Sequence, residues 1–308
     1  MAMRATFWGV RGSIPCPGPK TVRYGGNTLC IELRFDEHDR LIIIDAGSGI
    51  RELGNMLVKT DLRKGPIHTE IFLSHTHWDH ILGFPFFAPI YIPGTKLKVF
   101  GPVTYEEESL DKIIGDQLRY RYFPVRHSEL AAHIEYFPLT EGESDLGDGI
   151  ILKRKYLNHP ILDLGYRFEY MGKVFVTAFD TEPFRNVFDV PRESPDFDEE
   201  AYQEGESASR EENEKILQFI HGANVLVYDS QYTHKEYEET KIGWGHSSFE
   251  YAINSAHKAE VETVVLAHHD PLRTDDELQH FENTYRDALR GTSNLEVIMA
   301  REGLTVEM

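Results

Sequence analysis

Residues 75–80 read His75-Thr76-His77-Trp78-Asp79-His80, and they follow the apolar run Ile71-Phe72-Leu73 with only Ser74 between. Three imidazoles and a carboxylate within six residues are a dense set of metal-capable groups. Neutral imidazole nitrogen and carboxylate oxygen suit zinc and other first-row divalent ions. Packed together without an ion, four such groups would leave buried polar atoms short of partners. A loop with this spacing can turn His75 and His77 toward one ion and aim Asp79 and His80 at its neighbour.

The same plan recurs along the chain. Leu41–Ile44 ends at Asp45, Val174–Phe179 at Asp180, Val225–Val227 at Tyr228 and Asp229, and Val264–Leu266 leads through Ala267 to His268 and His269. Short aliphatic runs that end on polar residues are the mark of sheets that present chemistry at their strand ends. Helical periodicity follows Asp45 (SGIRELGNMLVK) and covers 105–118, 213–221, 248–258 and 275–289. Strands and helices are therefore mixed throughout, an α/β chain. Because the metal-capable residues run from His75 to His268, a cut into independent domains would divide the site. The expectation is one domain, 1–308, of two βα halves (about 1–150 and 151–308). An acidic stretch poor in large aliphatics, within about 189–214, reads as a mobile surface excursion.

His75-x-His77-x-Asp79-His80 resembles the H-x-H-x-D-H signature of the metallo-β-lactamase superfamily, matching every specified position. That resemblance implies a four-layer αβ/βα sandwich, two mixed sheets between helices, holding two divalent ions. It assigns His75, His77 and His159 to one ion, Asp79, His80 and His268 to the other, and Asp180 as the bridge. His268 is preferred over His269 because it directly follows the strand. Two further stretches are similar to motifs of phosphodiesterases related to the tRNA 3′-processing endonucleases. They are His159-x5-Gly165-Tyr166-Arg167 and Gly245-His246-Ser247-Ser248. Asp229 stands where that group carries an acidic residue, although Tyr228 replaces its His and Ser230-Gln231 its Ala-Thr. Tyr24-Gly25-Gly26-Asn27-Thr28 resembles a bacterial branch associated with cyclic-nucleotide phosphodiesterase activity.

The implied chemistry is attack on phosphorus by a metal-bound hydroxide, with Asp79, His246 and Asp229 as the catalytic residues. An alkoxide leaving group is a strong base and gains from a general acid, whereas a thiolate needs none. His246, held by Asp229, thus separates a phosphodiesterase from a thioester or lactam hydrolase of the same fold. The same Gly-His-Ser-Ser stretch also reads as a helix start. Asp45 either orients a ligand imidazole or caps the following helix. Asn27, in a glycine-rich loop, and Ser247 are the substrate-binding candidates.

Composition narrows the partners. A formal net charge of −19 disfavours a surface that grips a polyanion, since nucleic-acid affinity rests on Lys and Arg. The expected substrate is a small phosphodiester or nucleotide, first of all a cyclic nucleotide. An endoribonuclease that trims tRNA 3′ ends is the alternative, and a catalytically silent metal-binding module has no feature in its favour. The ions expected are zinc or manganese, with iron also suited to the ligands. Cys16 and Cys30 are too few for a disulfide framework, no run is apolar enough to span a membrane, and a cytoplasmic protein is expected. Residues 117–127 (QLRYRYFPVRH) interleave basic and aromatic side chains, suited to stacking bases or to a homodimer contact, the latter preferred.

Overall fold

The computed structural model describes residues 2–35, 37–102 and 109–308, and among them are two seven-stranded mixed sheets. The first takes β1 (Met3–Gly9), β2 (Cys30–Phe35), β3 (Arg40–Ile44), β4 (His68–Phe72), β5 (Lys96–Pro102) and β6 (His133–Leu139) in chain order. The second takes β7 (Gly142–Asp145), β8 (Ile151–Tyr156), β9 (Leu164–Tyr170), β10 (Lys173–Ala178), β11 (Val225–Asp229), β12 (Thr263–Ala267) and β13 (Glu296–Met299). Strands β3 to β6 run parallel, as do β10 to β13, and the other pairings are antiparallel. The chain changes sheets between Leu139 and Gly142, earlier than residue 150. Its last strand, β14 (Thr305–Glu307), returns to pair with β1.

The helices are α1 (Ile50–Lys59), α2 (Trp78–Ile81), α3 (Leu110–Asp116), α4 (Glu199–Ile220), α5 (His234–Glu236), α6 (Phe249–Lys258) and α7 (Asp275–Leu289). Strand side chains alternate between faces, and here both faces are covered. Ile42 and Ile44 of β3 join Phe72, Tyr166, Phe168 and Phe175 between the sheets, while Leu41 and Ile43 pack outward against Ile50, Leu53 and Leu57 of α1. In β11, Val225 and Val227 face inward, and Leu226 and Tyr228 meet Ala252, Ile253 and Ala256 of α6. Double-sided burial explains why these strands are continuous apolar runs. It also produces the expected helix–sheet–sheet–helix layering. Truncating fully buried Ile44 to alanine is expected to cost roughly 2–5 kcal/mol and to loosen the residue that follows it, Asp45.

From Glu199 onward the acidic stretch is helical rather than a loop, while residues 189–198 are irregular. Residues 199–220 form the long helix α4, whose buried residues are Gly205, Ile216 and Ile220. Glu, Gln, Ala and Lys are good helix formers, so scarcity of aliphatics reflects one-sided burial rather than irregular structure. The Asp198 carboxylate accepts from the amides of Glu200 and Ala201, and Glu199 and Glu200 sit at the positive end of the helix dipole. The helix expected over 105–118 is seen as Leu110–Asp116, residues 105–108 lying outside the described residues. Among the described residues, no helix is long and apolar enough to cross a membrane.

Candidate metal centre

Strands β3, β4, β10, β11 and β12 bring their carboxyl ends to one rim, where open α/β sheets place ligands. Asp45, Asp180 and His268, each just beyond a strand, have left-handed backbone, with φ of 60°, 45° and 61°. Such backbone disfavours side chains other than glycine, and three instances at one rim mark a site whose geometry overrides local preference.

Three overlapping groups of donor atoms converge there, all sharing Asp180: one with His75, His77 and His159, one with Asp79, His80 and His268, and one with Asp229, His246 and His268. In the first, His77 Nδ1 lies 3.0 Å from His75 Nε2 and 3.1 Å from His159 Nε2. Asp180 Oδ2 is 3.5 Å from His75 Nε2 and 3.9 Å from His159 Nε2. In the second, His268 Nε2 is 3.2 Å from Asp79 Oδ2 and 3.1 Å from Asp180 Oδ1. His80 Nε2 is 3.4 Å from Asp79 Oδ2 and 3.3 Å from Asp180 Oδ1. Each carboxylate oxygen of Asp180 therefore faces its own group.

The donor set fits a pair of divalent cations. His80 Nε2 and Asp180 Oδ1 are buried without a hydrogen-bond partner, and lone pairs aimed at one another need a positive centre between them. The carboxylates make the same demand on protons. Burial lowers the affinity of His268 for a proton, yet Asp180 and Asp79 outweigh it and push the ring up to about 9. Burial likewise raises the Asp79 carboxyl, but His80 and His268 hold it well below the usual carboxylate range. His75 goes the other way: burial and the neighbouring His80 depress it well below an ordinary imidazole, keeping the ring neutral as a ligand must be.

A surrounding layer fixes these rings. Asp45 Oδ2 lies 2.9 Å from His80 Nδ1, and Asp45 Oδ1 accepts from the Ser74 amide at 2.7 Å. Helix α1 begins at Gly49 without a side-chain cap, so Asp45 orients an imidazole and does not cap. His159 Nδ1 donates to the Gly245 carbonyl at 3.0 Å. Gly245 has φ 79°, and a Cβ there would stand 2.3 Å from His159 Nδ1. The Ser13 amide donates to Asp79 Oδ2 at 2.7 Å, and a Cβ on Gly12 would lie 2.2 Å from His268 Cε1.

His246 and Asp229 meet beside the second group. Asp229 Oδ2 is 2.9 Å from His246 Nδ1 and also accepts from the Thr181 amide at 3.1 Å. Burial raises the Asp229 carboxyl against the opposing pull of His246. The His246 ring stacks on His268, centroids 4.8 Å apart. The helix-start reading of this stretch also holds, one residue along, since Ser248 Oγ accepts from the Tyr251 amide at the start of α6.

Ser247 is fully buried and its hydroxyl donates to the Thr181 carbonyl at 2.5 Å, which braces the loop. Asn27 is half-buried; its Oδ1 accepts from Ser48 Oγ, and its carbonyl accepts from the Val10 and Arg11 amides. His269 turns away from the cluster to the Ala300 carbonyl, 2.9 Å from its Nε2, and burial beside Arg11 drops it to about 3. In 117–127, Arg126 lies over the Tyr120 ring at 4.1 Å, and Arg119 pairs with Asp116 just before the segment.

Two acidic residues were not anticipated. Asp163 is completely buried with Oδ1 3.6 Å from His75 Nδ1. Glu182, two residues beyond Asp180, accepts from Tyr237 Oη at 3.1 Å and from the Gly243 and Gly245 amides at 2.9 and 3.2 Å. It ties the His246 loop to the Asp180 loop. The Leu-Asp-Leu-Gly step after His159 and the Asp-Thr-Glu after Phe179 were the signals available.

No protein-family model matches the chain. Among sequence relatives, the ribonuclease Z of Lactococcus lactis is 26% identical over 270 residues, 79% of this chain and 83% of the relative. That of a Synechococcus strain is 23% identical over 299 residues, 87% and 88%. Among solved structures, the metallo-β-lactamase fold protein YhfI from Bacillus subtilis superposes with a TM-score of 0.64 at 16% identity, over 99% of both chains. The human short-form tRNase Z gives 0.61 at 17% identity, over 99% of this chain and 98% of that one. A diphosphatase of the PhnP family gives 0.61 at 16%, again over 99% and 98%. The chain thus has the metallo-β-lactamase fold, with sequence relatives among the ribonucleases Z.

Proposed function

We propose that the chain is a phosphodiesterase whose substrate is a small phosphodiester, first of all a cyclic nucleotide. The observation that carries the reading is the His246–Asp229 pair beside the donor cluster. In it, Asp229 accepts the Nδ1 proton of His246 and leaves Nε2 to deliver a proton to a departing alkoxide oxygen. His75, His77 and His159 would hold one ion, Asp79, His80 and His268 the other, and Asp180 both. Zinc, manganese or iron, when bound there, supplies a nucleophile at neutral pH and stabilises charge developing on the phosphoryl oxygens. Asp229 keeps the imidazole in one tautomer and stabilises its cationic form. Glu182 sets the height of the loop that carries His246. Asp45 fixes the plane of His80, and the Ser74 hydroxyl, 3.1 Å from His75 Nδ1, orients His75.

The relatives support a second reading, tRNA 3′ processing, because ribonucleases Z recur among them at 23–26% identity. Net charge −19 and the acidic exposed face of α4 weigh against a long polyanion. A homodimer through 117–127 belongs to the same proposal, supported by the exposed Tyr122 and by the edge-on Phe86–Phe123 contact. The test is to load the protein with zinc or manganese and compare 3′,5′- and 2′,3′-cyclic nucleotides with a tRNA precursor. Turnover of a cyclic nucleotide with no precursor cleavage supports the first reading, and the reverse selects the second.

A further inference from the structure

Three of the segments that carry the candidate centre also wall a cleft of about 740 Å³ that the chemistry above does not use. Asn158 precedes His159, Glu182 follows Asp180 by two residues, and Gly243 stands three before His246; all three line it. The walls are joined: the Glu182 amide donates to the Asn158 carbonyl at 3.1 Å, and the Gly243 amide donates to Glu182. The far wall comes from the loop through Phe184 and Val187 and from α4, through Glu206 and Ser209. The volume falls within the roughly 300–1,000 Å³ of small-molecule sites.

The lining has two characters. Val187 is 83% exposed and Ile242 45%, large apolar groups left uncovered at the cleft, with Phe184 packed against the core. The charges are Glu182, Asp189 and Glu206 against a single Arg185. Arg185 is already paired with Glu238 and donates to Tyr237 Oη at 3.1 Å. A cleft that offers Phe184, Val187 and Ile242 among polar groups, with more carboxylates than cations, accepts a flat uncharged ring and repels a phosphate.

We infer that this cleft is the subsite for the nucleoside on the leaving-group side of the scissile phosphorus, and that it excludes leaving groups carrying a further phosphate. The inference rests on the phosphodiesterase reading, because His246 marks the leaving-group side. It restricts that reading to substrates ending one nucleoside beyond the bond cleaved. Glu206 and Asp189 are then specificity residues, and α4 is the wall that shortens the acceptable substrate.

The test has two arms. Saturation-transfer NMR with adenosine probes the cleft without turnover: the base protons receive transfer from the wild type, and Ser209→Trp, which fills the cleft from the helix surface, abolishes it. Kinetics then compare a dinucleoside monophosphate with the same molecule bearing a further phosphate on the nucleoside whose oxygen leaves. The wild type favours the unphosphorylated substrate by about 10-fold or more in kcat/KM, and Glu206→Lys narrows the gap. Transfer that is absent, or undiminished in Ser209→Trp, overturns the subsite, as does equal kcat/KM for the two dinucleotides. Transfer that behaves as stated with no hydrolysis of any phosphodiester leaves a nucleoside-binding cleft but sinks the phosphodiesterase reading, and with it the leaving-group assignment.

Discussion

The Asp229 carboxylate and the His246 imidazole stand 2.9 Å apart, the acid wholly buried and the ring 12% exposed at the mouth of the donor cluster. A buried carboxylate on one ring nitrogen leaves the other to face substrate, the arrangement that a proton donor needs. Asp229→Asn keeps the shape and removes the charge that supports an imidazolium. It is expected to lower kcat on an alkoxide-leaving diester by roughly 10²–10³-fold, with a small effect on KM, in steady-state assays at fixed metal content.

Asp45 holds His80 from behind and binds the Ser74 amide and hydroxyl. Asp45→Ala frees the ring to rotate, and metal affinity should fall about 10–100-fold. Competition against a fluorescent chelator measures it. An unchanged affinity would show that strand packing alone fixes His80.

Gly12 lies against the face of His268 with no room for a side-chain carbon. Gly12→Ala displaces that ring, which is already stacked on His80 and His246. Metal content by mass spectrometry is expected to drop from two equivalents toward one, because the first donor group does not include His268. Retention of both ions with full activity contradicts the assignment of His268.

His269 supplies a pH dependence of stability. Its folded pKa is depressed to about 3, below the ordinary imidazole value of 6.5. Between these values the unfolded chain binds a proton there that the folded chain refuses, so acidification favours unfolding. Stability that the neutral buried ring contributes above pH 6.5 is lost toward pH 3, with a limiting slope of about 1.4 kcal/mol per pH unit. Urea midpoints of wild type and His269→Gln, both metal-free, should converge as pH falls through this window.

The contiguous cluster His75–His80 was readable because its chemistry is local, and Asp180, Asp229 and His268 because apolar runs point to them as strand ends. Asp163 and Glu182 were not readable: each is a single acid whose meaning lies in what the fold sets opposite it, His75 in one case and two loop amides in the other. Ser247 shows the limit of a motif, which fixes a residue type but not its direction; the hydroxyl points into the scaffold. Helix α4 was misread because acidic composition without aliphatics describes a solvated helix face as well as a loop. Its role as a wall depends on Ser209 and Glu206 facing Val187, a juxtaposition that spacing does not encode.

The most direct measurement is hydrolysis of bis(p-nitrophenyl) phosphate and of a cyclic nucleotide by wild type and His246→Ala at matched metal content. Nitrophenolate leaves without a proton and an alkoxide does not, so the two substrates separate nucleophile from acid. The account predicts that His246→Ala keeps the activated ester within a few-fold while losing roughly 10²-fold or more on the cyclic nucleotide. Equal losses on both substrates, or none on the cyclic nucleotide, would contradict it and remove His246 from the proton-donor role.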